Sequence, residues 1–463
     1  MIRKSPFEKE GIWHATVNNH RLHMRIQKKG QNLLWIDGRQ PPLILDHTAT
    51  DFMKFIIEGM WKFQQGQGNE SDKVTDYVVE QMFRKYRNPL AFGKNRVSRD
   101  KIKKDLDTFF GTLMELAEGA CPMETGLQLQ QKNIDYASWE APARMDLALT
   151  YRCNLECGKC YLNQTETEEL DTDKWKEIYA VLWKIGVAQV VFTGGEPLLR
   201  KDIVELVSSA DKFVTGLITN GTLLEELAES LKYASLDYLQ ITVESKDASI
   251  HNKMCGVEGA HAKTLAGIKS ALKNQIQVVT NTTLTQFNRD SFLDTMKWLK
   301  ETGINNISCN TLICSGQGTH YKREYGLSDE ELNKLMKDAC QLAGELGVNF
   351  QWYSPTCYSS FNPLDFKLGI KTCSAATHNM TVQPDGTVIP CQSWPETVGN
   401  ILQKPWEKIW NDPICKKLRE RRILPDECKG CFYQYTCSGG CPLDESPRTR
   451  VNFSATTGGD KNE

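Results

Sequence analysis

Three cysteines, Cys153, Cys157 and Cys160, share the short run Thr150-Tyr151-Arg152-Cys153-Asn154-Leu155-Glu156-Cys157-Gly158-Lys159-Cys160-Tyr161. Thiolates at this spacing can hold three irons of a [4Fe–4S] cluster and leave the fourth iron without a protein ligand. A cluster that only carries electrons normally takes four cysteines. An isolated triplet therefore points to a small molecule that completes the site, and to chemistry at the open iron. A second group of thiols lies far along the chain: Cys357, Cys373, Cys391, then Cys428-x2-Cys431-x5-Cys437-x3-Cys441. Two chemistries compete for it, tetrahedral zinc in CxxC pairs and further iron–sulfur clusters. Between the two groups, Thr193-Gly194-Gly195-Glu196-Pro197 combines glycines that let a ligand approach the backbone with a carboxylate suited to an ammonium group.

The rest of the composition limits what these residues can be. The chain has 16 cysteines among 463 residues, a length that supplies buried cores without disulfide staples. Met1-Ile2-Arg3-Lys4-Ser5-Pro6-Phe7 contains no cleavable apolar leader, so reduced thiols in a cytoplasm are expected. No run of about 18 apolar residues is present, so no membrane span is expected. The formal net charge of −2 gives no reason to expect nucleic-acid binding. The basic residues Lys416, Lys417, Arg419, Arg421 and Arg422 read as a solvated helix face.

The elements that must position the cysteines follow from periodicity. Residues 1–118 read as a small α+β unit, with alternating segments at Gly11 to Val17, Leu22 to Gln27 and Leu33 to Ile36 followed by helices. Ser98 is the expected N-cap of the last helix. Residues 119–143 carry few periodic apolar side chains and read as a linker, in which Cys121 is incidental. From residue 144 to 350, apolar strand candidates alternate with helices: Met145 to Leu149, Ala188 to Phe192, Val214 to Ile218, Tyr238 to Val243, Gln277 to Asn281 and Ile307 to Thr311. Such alternation predicts an α/β fold with a parallel sheet and helical crossovers, about six units forming a partial barrel. Sites in such folds sit at the carboxyl ends of the strands, where both the triplet and the Gly-Gly-Glu run fall. Residues 351–445 form a Cys-rich extension, and residues 446–463 read as a flexible tail.

The triplet and Gly194-Gly195-Glu196 resemble the radical S-adenosylmethionine (SAM) superfamily, the likeness spanning roughly residues 144 to 320. The resemblance implies a (β/α)6 partial TIM barrel, a [4Fe–4S] cluster on Cys153, Cys157 and Cys160, and SAM chelating the open iron. It implies that Gly194, Gly195 and Glu196 position the SAM ammonium group and that Tyr161 lies near the adenine. Thr242 and Glu244 stand where the family often has serine and aspartate at the end of the fourth strand, with Thr242 placed for the ribose. Asn281 and Thr283 are weaker candidates. Gly386-x4-Cys391 with the four spaced cysteines resembles a SPASM domain, which implies one or two auxiliary Fe–S clusters. One would use Cys373, Cys391 and Cys441, with Cys357 as the candidate fourth ligand. The other would use Cys428, Cys431 and Cys437, and lacks the usual later cysteine, leaving an open iron, a ligand such as Asp444, or no cluster. Leu43-Ile44-Leu45, Thr48-Ala49, Gly59 and Asp105-Leu106 to Phe110 resemble PqqD-like domains, small winged-helix-like α+β units that grip the leader of a precursor peptide, which can add to an exposed strand edge.

By these resemblances, one electron passes to the sulfonium of SAM and yields a 5′-deoxyadenosyl radical that abstracts hydrogen from a substrate. A peptide or protein side chain is the leading expectation, with a precursor peptide as partner and a flavodoxin or ferredoxin as reductant. A small molecule or tetrapyrrole is the alternative, and a non-catalytic Fe–S or zinc protein the reading from another class. The remaining cysteines have no assigned ligand role. Cys340 and Cys415 read as packed thiols, Cys309 and Cys314 lie near the sixth strand, and Cys255 reads as packing or as a hydrogen donor.

Overall fold

A computed structural model of the chain describes residues 12–17, 20–26, 32–36, 43–63, 70–87, 97–117, 139–162, 167–234 and 236–444. Most of the expected linker, with Cys121, and the expected tail lie outside the described residues. The chain divides into two units, residues 1–140 with 183–188 and residues 141–182 with 189–463. The Cys-rich extension thus belongs to the same unit as the strand–helix core. Among the described residues no helix is long and apolar enough to cross a membrane.

The first unit starts as an antiparallel meander, β1 (Ile12–Val17), β2 (His20–Arg25), β3 (Asn32–Ile36) and β4 (Leu43–Leu45), paired in that order. Alternation along the strands places Leu22 and Met24 of β2, and Leu34 and Ile36 of β3, in one core. Three helices, His47–Phe63, Glu70–Tyr86 and Arg99–Ala117, follow. They cover that face with Met53, Ile56, Leu106, Phe109 and Leu113. Ser98 caps the third helix as expected, its Oγ accepting from Lys101 N at 3.2 Å. A Cβ on Gly59 would meet Tyr77 Cδ1 at 3.1 Å, so a small residue is what allows the first two helices to cross closely.

In the second unit, β5 (Arg144–Thr150), β6 (Gln189–Gly194), β7 (Val214–Thr219), β8 (Tyr238–Thr242), β9 (Gln277–Thr283) and β10 (Asn306–Asn310) pair in parallel and in chain order. The first two are rich in buried apolar residues, with Met145, Leu147 and Leu149 on β5 and Val190, Val191 and Phe192 on β6 all fully buried. Helices such as Thr172–Ile185 and Leu224–Tyr233 make the crossovers. This is the expected partial TIM barrel.

Four shorter strands extend the sheet at both edges. β11 (Asn349–Trp352) adds in parallel to β10. β12 (Asn379–Val382) adds in parallel to β5, and β13 (Thr387–Ile389) and β14 (Gly399–Asn400) continue antiparallel beyond it. The Cys-rich extension is therefore hydrogen-bonded to the strand that carries the triplet.

Candidate functional site

The cysteine triplet occupies the loop that leaves β5, and the end of β6 is pressed against the chain leading into it. Gly195 N donates to Thr150 O at 2.8 Å and Glu196 N to Arg152 O at 2.9 Å. A Cβ on Gly194 would lie 2.1 Å from Thr150 O, and one on Gly195 2.3 Å from Arg152 O. Gly194 also has φ of +134°, a conformation L side chains avoid. The two glycines thus admit a backbone, that of the triplet loop, as their nearest neighbour.

Glu196 is fully buried and its carboxylate is occupied by the protein. Oε1 accepts from Leu198 N at 3.0 Å and from Thr219 Oγ1 at 2.8 Å, and Oε2 accepts from Asn220 N at 2.8 Å. Burial pushes its pKa up to about 7, against those three donors. These bonds make the Glu196 side chain a tie between the ends of β6 and β7. Asn220 Nδ2 continues the tie to Asn154 Oδ1 at 2.8 Å, and Asn154 Nδ2 donates to Thr222 Oγ1 at 2.8 Å. Asn154 and Asn220 carried no signal in the sequence, because neither hydrogen bond is local.

Lys159, inside the triplet, reaches across to β8 and β9. Its Nζ is 2.6 Å from Glu244 Oε1, with the lysine side chain 13% exposed and the glutamate side chain 0%. Nζ also donates to Thr283 Oγ1 at 3.1 Å, and Thr283 N donates to Glu244 Oε2 at 3.1 Å. Burial opposes the lysine charge, but Glu244 outweighs it and holds the Lys159 pKa above its ordinary value. Glu244 and Thr283 thus act on the triplet loop itself. Thr242 is half-buried at the last position of β8, and Asn281 donates to Asn310 Oδ1 at 2.7 Å.

The helix Ala248–Cys255 ends against the same loop. Glu156 N donates to Cys255 O at 3.0 Å, and a Cβ on Gly256 would lie 2.3 Å from Glu156 O. A hydrogen bond with the Cys255 thiol lowers the Cys157 pKa to about 7. Cys255 is a packed thiol, buried in a small cluster with Leu155 and Ala260 against which the candidate ligand Cys157 lies.

At the other end of the triplet, the Tyr161 hydroxyl donates to Gln392 Oε1 at 2.7 Å. Gln392 Nε2 donates to Asp146 Oδ2 at 3.0 Å, and Asp146 pairs with Arg144 at 2.5 Å. Ser315 Oγ lies 3.1 Å from Tyr161 O and 3.0 Å from Ser393 O, so its one proton can go to either carbonyl. Cys160 and Cys391, each followed by one partner of the Tyr161–Gln392 bond, are thus linked through adjacent residues.

The distal cysteines separate into two sets. Cys373, Cys391 and Cys441 are mutual electrostatic neighbours, and burial pushes all three up to about 12. Cys428 neighbours Cys357 and Cys431, and Cys437 is hydrogen-bonded to Cys357. The expectation set Cys357 beside Cys373, Cys391 and Cys441; the structure places it with Cys428, Cys431 and Cys437 instead. The physical reason is the turn at 356–361, whose backbone lies against the loop 437–441.

The donor chemistry fits iron–sulfur groups. All three sets are thiols, as such clusters take, and every described cysteine is free of disulfides.

Comparison with known proteins agrees with this geometry. Residues 147–299 match the family model of the Radical SAM superfamily, and residues 373–432 match SPASM, an iron-sulfur cluster-binding domain. The chain is similar to "AdoMet-dependent heme synthase" of Methanosarcina barkeri (strain Fusaro / DSM 804), 28% identical over 328 residues, covering 65% of this chain and 92% of that protein. It is also similar to "PqqA peptide cyclase" of Gluconobacter oxydans (strain 621H), 27% identical over 314 residues, covering 65% of this chain and 85% of that protein. Among solved structures, Streptococcus suis SuiB bound to precursor peptide SuiA shares the fold with a TM-score of 0.63 and 17% identity, over 94% of this chain and 98% of that one.

Proposed function

We propose that this radical SAM enzyme modifies a side chain of a peptide or protein substrate, with its N-terminal unit holding the substrate's leader. The observation that carries the reading is the pairing of a SPASM-extended core with an N-terminal unit whose meander ends in edge strands β1 and β4. Backbone hydrogen bonds along a strand edge would supply affinity for an extended segment. The similarity to the peptide cyclase supports the same reading. A tetrapyrrole substrate is the second reading, favoured by the similarity to the heme synthase.

Cys153, Cys157 and Cys160 would hold the [4Fe–4S] cluster, and Thr242 and the Tyr161 ring would flank SAM. With SAM bound, the cluster supplies a 5′-deoxyadenosyl radical for hydrogen abstraction. The residues of this chain hold the triplet loop in place: Gly194 and Gly195 from β6, Asn154 with Asn220 from β7, and Lys159 with Glu244 from β8. Glu196 keeps its backbone donors in register and lies within electrostatic reach of Cys153, so that its backbone and carboxylate border the SAM ammonium group. Reductants of the flavodoxin or ferredoxin class would supply the electron.

The reading is tested by anaerobic assay of the reduced, iron-loaded chain for 5′-deoxyadenosine. Cys153→Ala is expected to abolish its formation, and intact cleavage in that variant overturns the assignment of the triplet. A precursor peptide encoded beside the gene is expected to be modified by the full chain and not after deletion of residues 1–118. Modification of a porphyrin by the deleted chain at an undiminished rate favours the second reading.

A further inference from the structure

The thiol array contains one more cysteine than its C-terminal motif supplies to either set. Among the described residues, no cysteine follows Cys441, so Cys428, Cys431 and Cys437 have no fourth thiol downstream in that region. The structure brings one in from upstream. Tyr358 N donates to Cys437 Sγ at 3.3 Å, and Thr356 O accepts from the same sulfur at 3.3 Å. The residues on both sides of Cys357 therefore embrace Cys437. Ser360 N and Phe361 N both bond Cys357 O at 2.9 Å, fixing the turn that presents the thiol.

The opposing loop is shaped to let that turn approach. Gly440 has φ of +82°, and a Cβ there would meet Cys357 N at 3.0 Å. Its neighbour Gly439 has φ of +77°, and a Cβ there would lie 3.6 Å from Cys428 Sγ. Two successive glycines in the left-handed region, in conformations other residues rarely adopt, carry the chain from Cys437 to Cys441. They do so with the Cys357 backbone on one side and the Cys428 sulfur on the other. Cys428 and Cys437 each have Cys357 as an electrostatic neighbour, whereas Cys373, Cys391 and Cys441 neighbour one another.

We propose that Cys357 is the fourth ligand of the auxiliary cluster held by Cys428, Cys431 and Cys437, so that this cluster is closed by four thiolates and takes no external ligand. The assignment rests on the auxiliary clusters of the proposed function. Its consequence is that the open position, if either auxiliary cluster has one, belongs to the set Cys373, Cys391 and Cys441. That set borders a second group of polar side chains. Asp444 N donates to Cys441 O at 3.0 Å, Lys322 Nζ donates to Asp444 Oδ1 at 2.8 Å, and the Cys314 thiol lies 3.5 Å from the same oxygen. The four-thiolate set is suited to electron transfer, and the three-thiolate set has Lys322 and Asp444 beside Cys441.

The test uses the full chain, loaded anaerobically with iron and sulfide, and reads cysteine protection rather than turnover. The loaded parent is alkylated and each cysteine is mapped by mass spectrometry, with iron counted in parallel. About twelve irons per chain and protection of all three sets establish the auxiliary clusters; about four irons with only Cys153, Cys157 and Cys160 protected refutes the cluster reading itself, and the assignment with it. In Cys357→Ser, the expected result is labelling of Cys428, Cys431 and Cys437 with loss of up to about four irons, or a [3Fe–4S] signal by electron paramagnetic resonance in the oxidised protein. Cys373, Cys391 and Cys441 stay protected. Labelling of Cys373, Cys391 and Cys441 instead, or no change in labelling, iron or spectrum, overturns the assignment. To separate ligand loss from misfolding, the same substitution is made in Cys373→Ala/Cys391→Ala and in Cys428→Ala/Cys431→Ala. It is expected to remove iron in the first background and none in the second, and the reverse pattern overturns the proposal.

Discussion

Replacing Lys159 by methionine removes the cation that faces the buried Glu244 carboxylate while keeping most of the side chain's volume. At the 2.6 Å separation of the pair, the gross Coulomb attraction is about 6 kcal/mol with an effective dielectric constant of about 20. Most of that offsets the desolvation of two charges, so the pair itself adds little. Breaking it is different, because an uncompensated buried charge costs about 3–5 kcal/mol. Glu244 keeps its bond from Thr283 N, which argues for the lower end, about 3 kcal/mol. Thermal melting of the loaded protein under anaerobic conditions should show a drop of roughly 6 °C, at about 2 °C per kcal/mol for a large domain. Lys159→Met/Glu244→Leu removes both charges and should lie closer to the parent than the sum of the single variants, with about 2 kcal/mol of coupling. Because Lys159 sits between Cys157 and Cys160, the single variant should also lose iron from the triplet while the auxiliary iron stays. A Lys159→Met melt within about 1 kcal/mol of the parent, together with an additive double variant, would refute the view that this pair pins the loop.

Three further outcomes follow from the same geometry. Gly195→Ala drives a Cβ to 2.3 Å from Arg152 O, a backbone clash no rotamer relieves. It should cost about 3 kcal/mol or more and deplete the triplet's iron, as read by iron analysis against an unchanged auxiliary count. Burial lowers the pKa of His251 from 6.5 to about 4, and its Nδ1 accepts from Glu244 N at 3.3 Å. The unfolded chain takes up that proton at a higher pH than the folded one, so stability is present above about 6.5 and falls as the pH drops toward about 4. The loss is about 3 kcal/mol for this residue, and His251→Gln should flatten a melting curve series across that window. Tyr161→Phe deletes the bond to Gln392 and should cost about 1 kcal/mol with little change in the SAM concentration needed for half-maximal cleavage; a large rise would give the hydroxyl to SAM instead.

The core strands were legible because each is a short apolar run delimited by a helix with its own apolar stripe. Val190, Val191 and Phe192 or Leu239 and Ile241 announce buried strands wherever their partners lie. The N-cap at Ser98 was legible for the same local reason, and its Oγ accepts from Lys101 N. β11 to β14 were not, since four, four, three and two residues are too few to set a period. Their place is decided by the open edges of a sheet made elsewhere in the chain. The triplet was visible as a metal site because its three ligands share one loop. What holds that loop was invisible, because Lys159, Asn154 and Glu196 each find partners on a different strand.

Cys357 shows where spacing stops being informative. A run such as Cys428-x2-Cys431-x5-Cys437 fixes the metal chemistry, because chain stiffness keeps its thiols close whatever else happens. A fourth ligand more than a loop away is set by tertiary contacts, here the turn at Tyr358 and the two left-handed glycines before Cys441. The same reasoning applies between the two halves of the site. Tyr161 and Gln392 are next to Cys160 and Cys391 in the chain, so their hydrogen bond fixes the separation of two cluster positions that the sequence could only count independently.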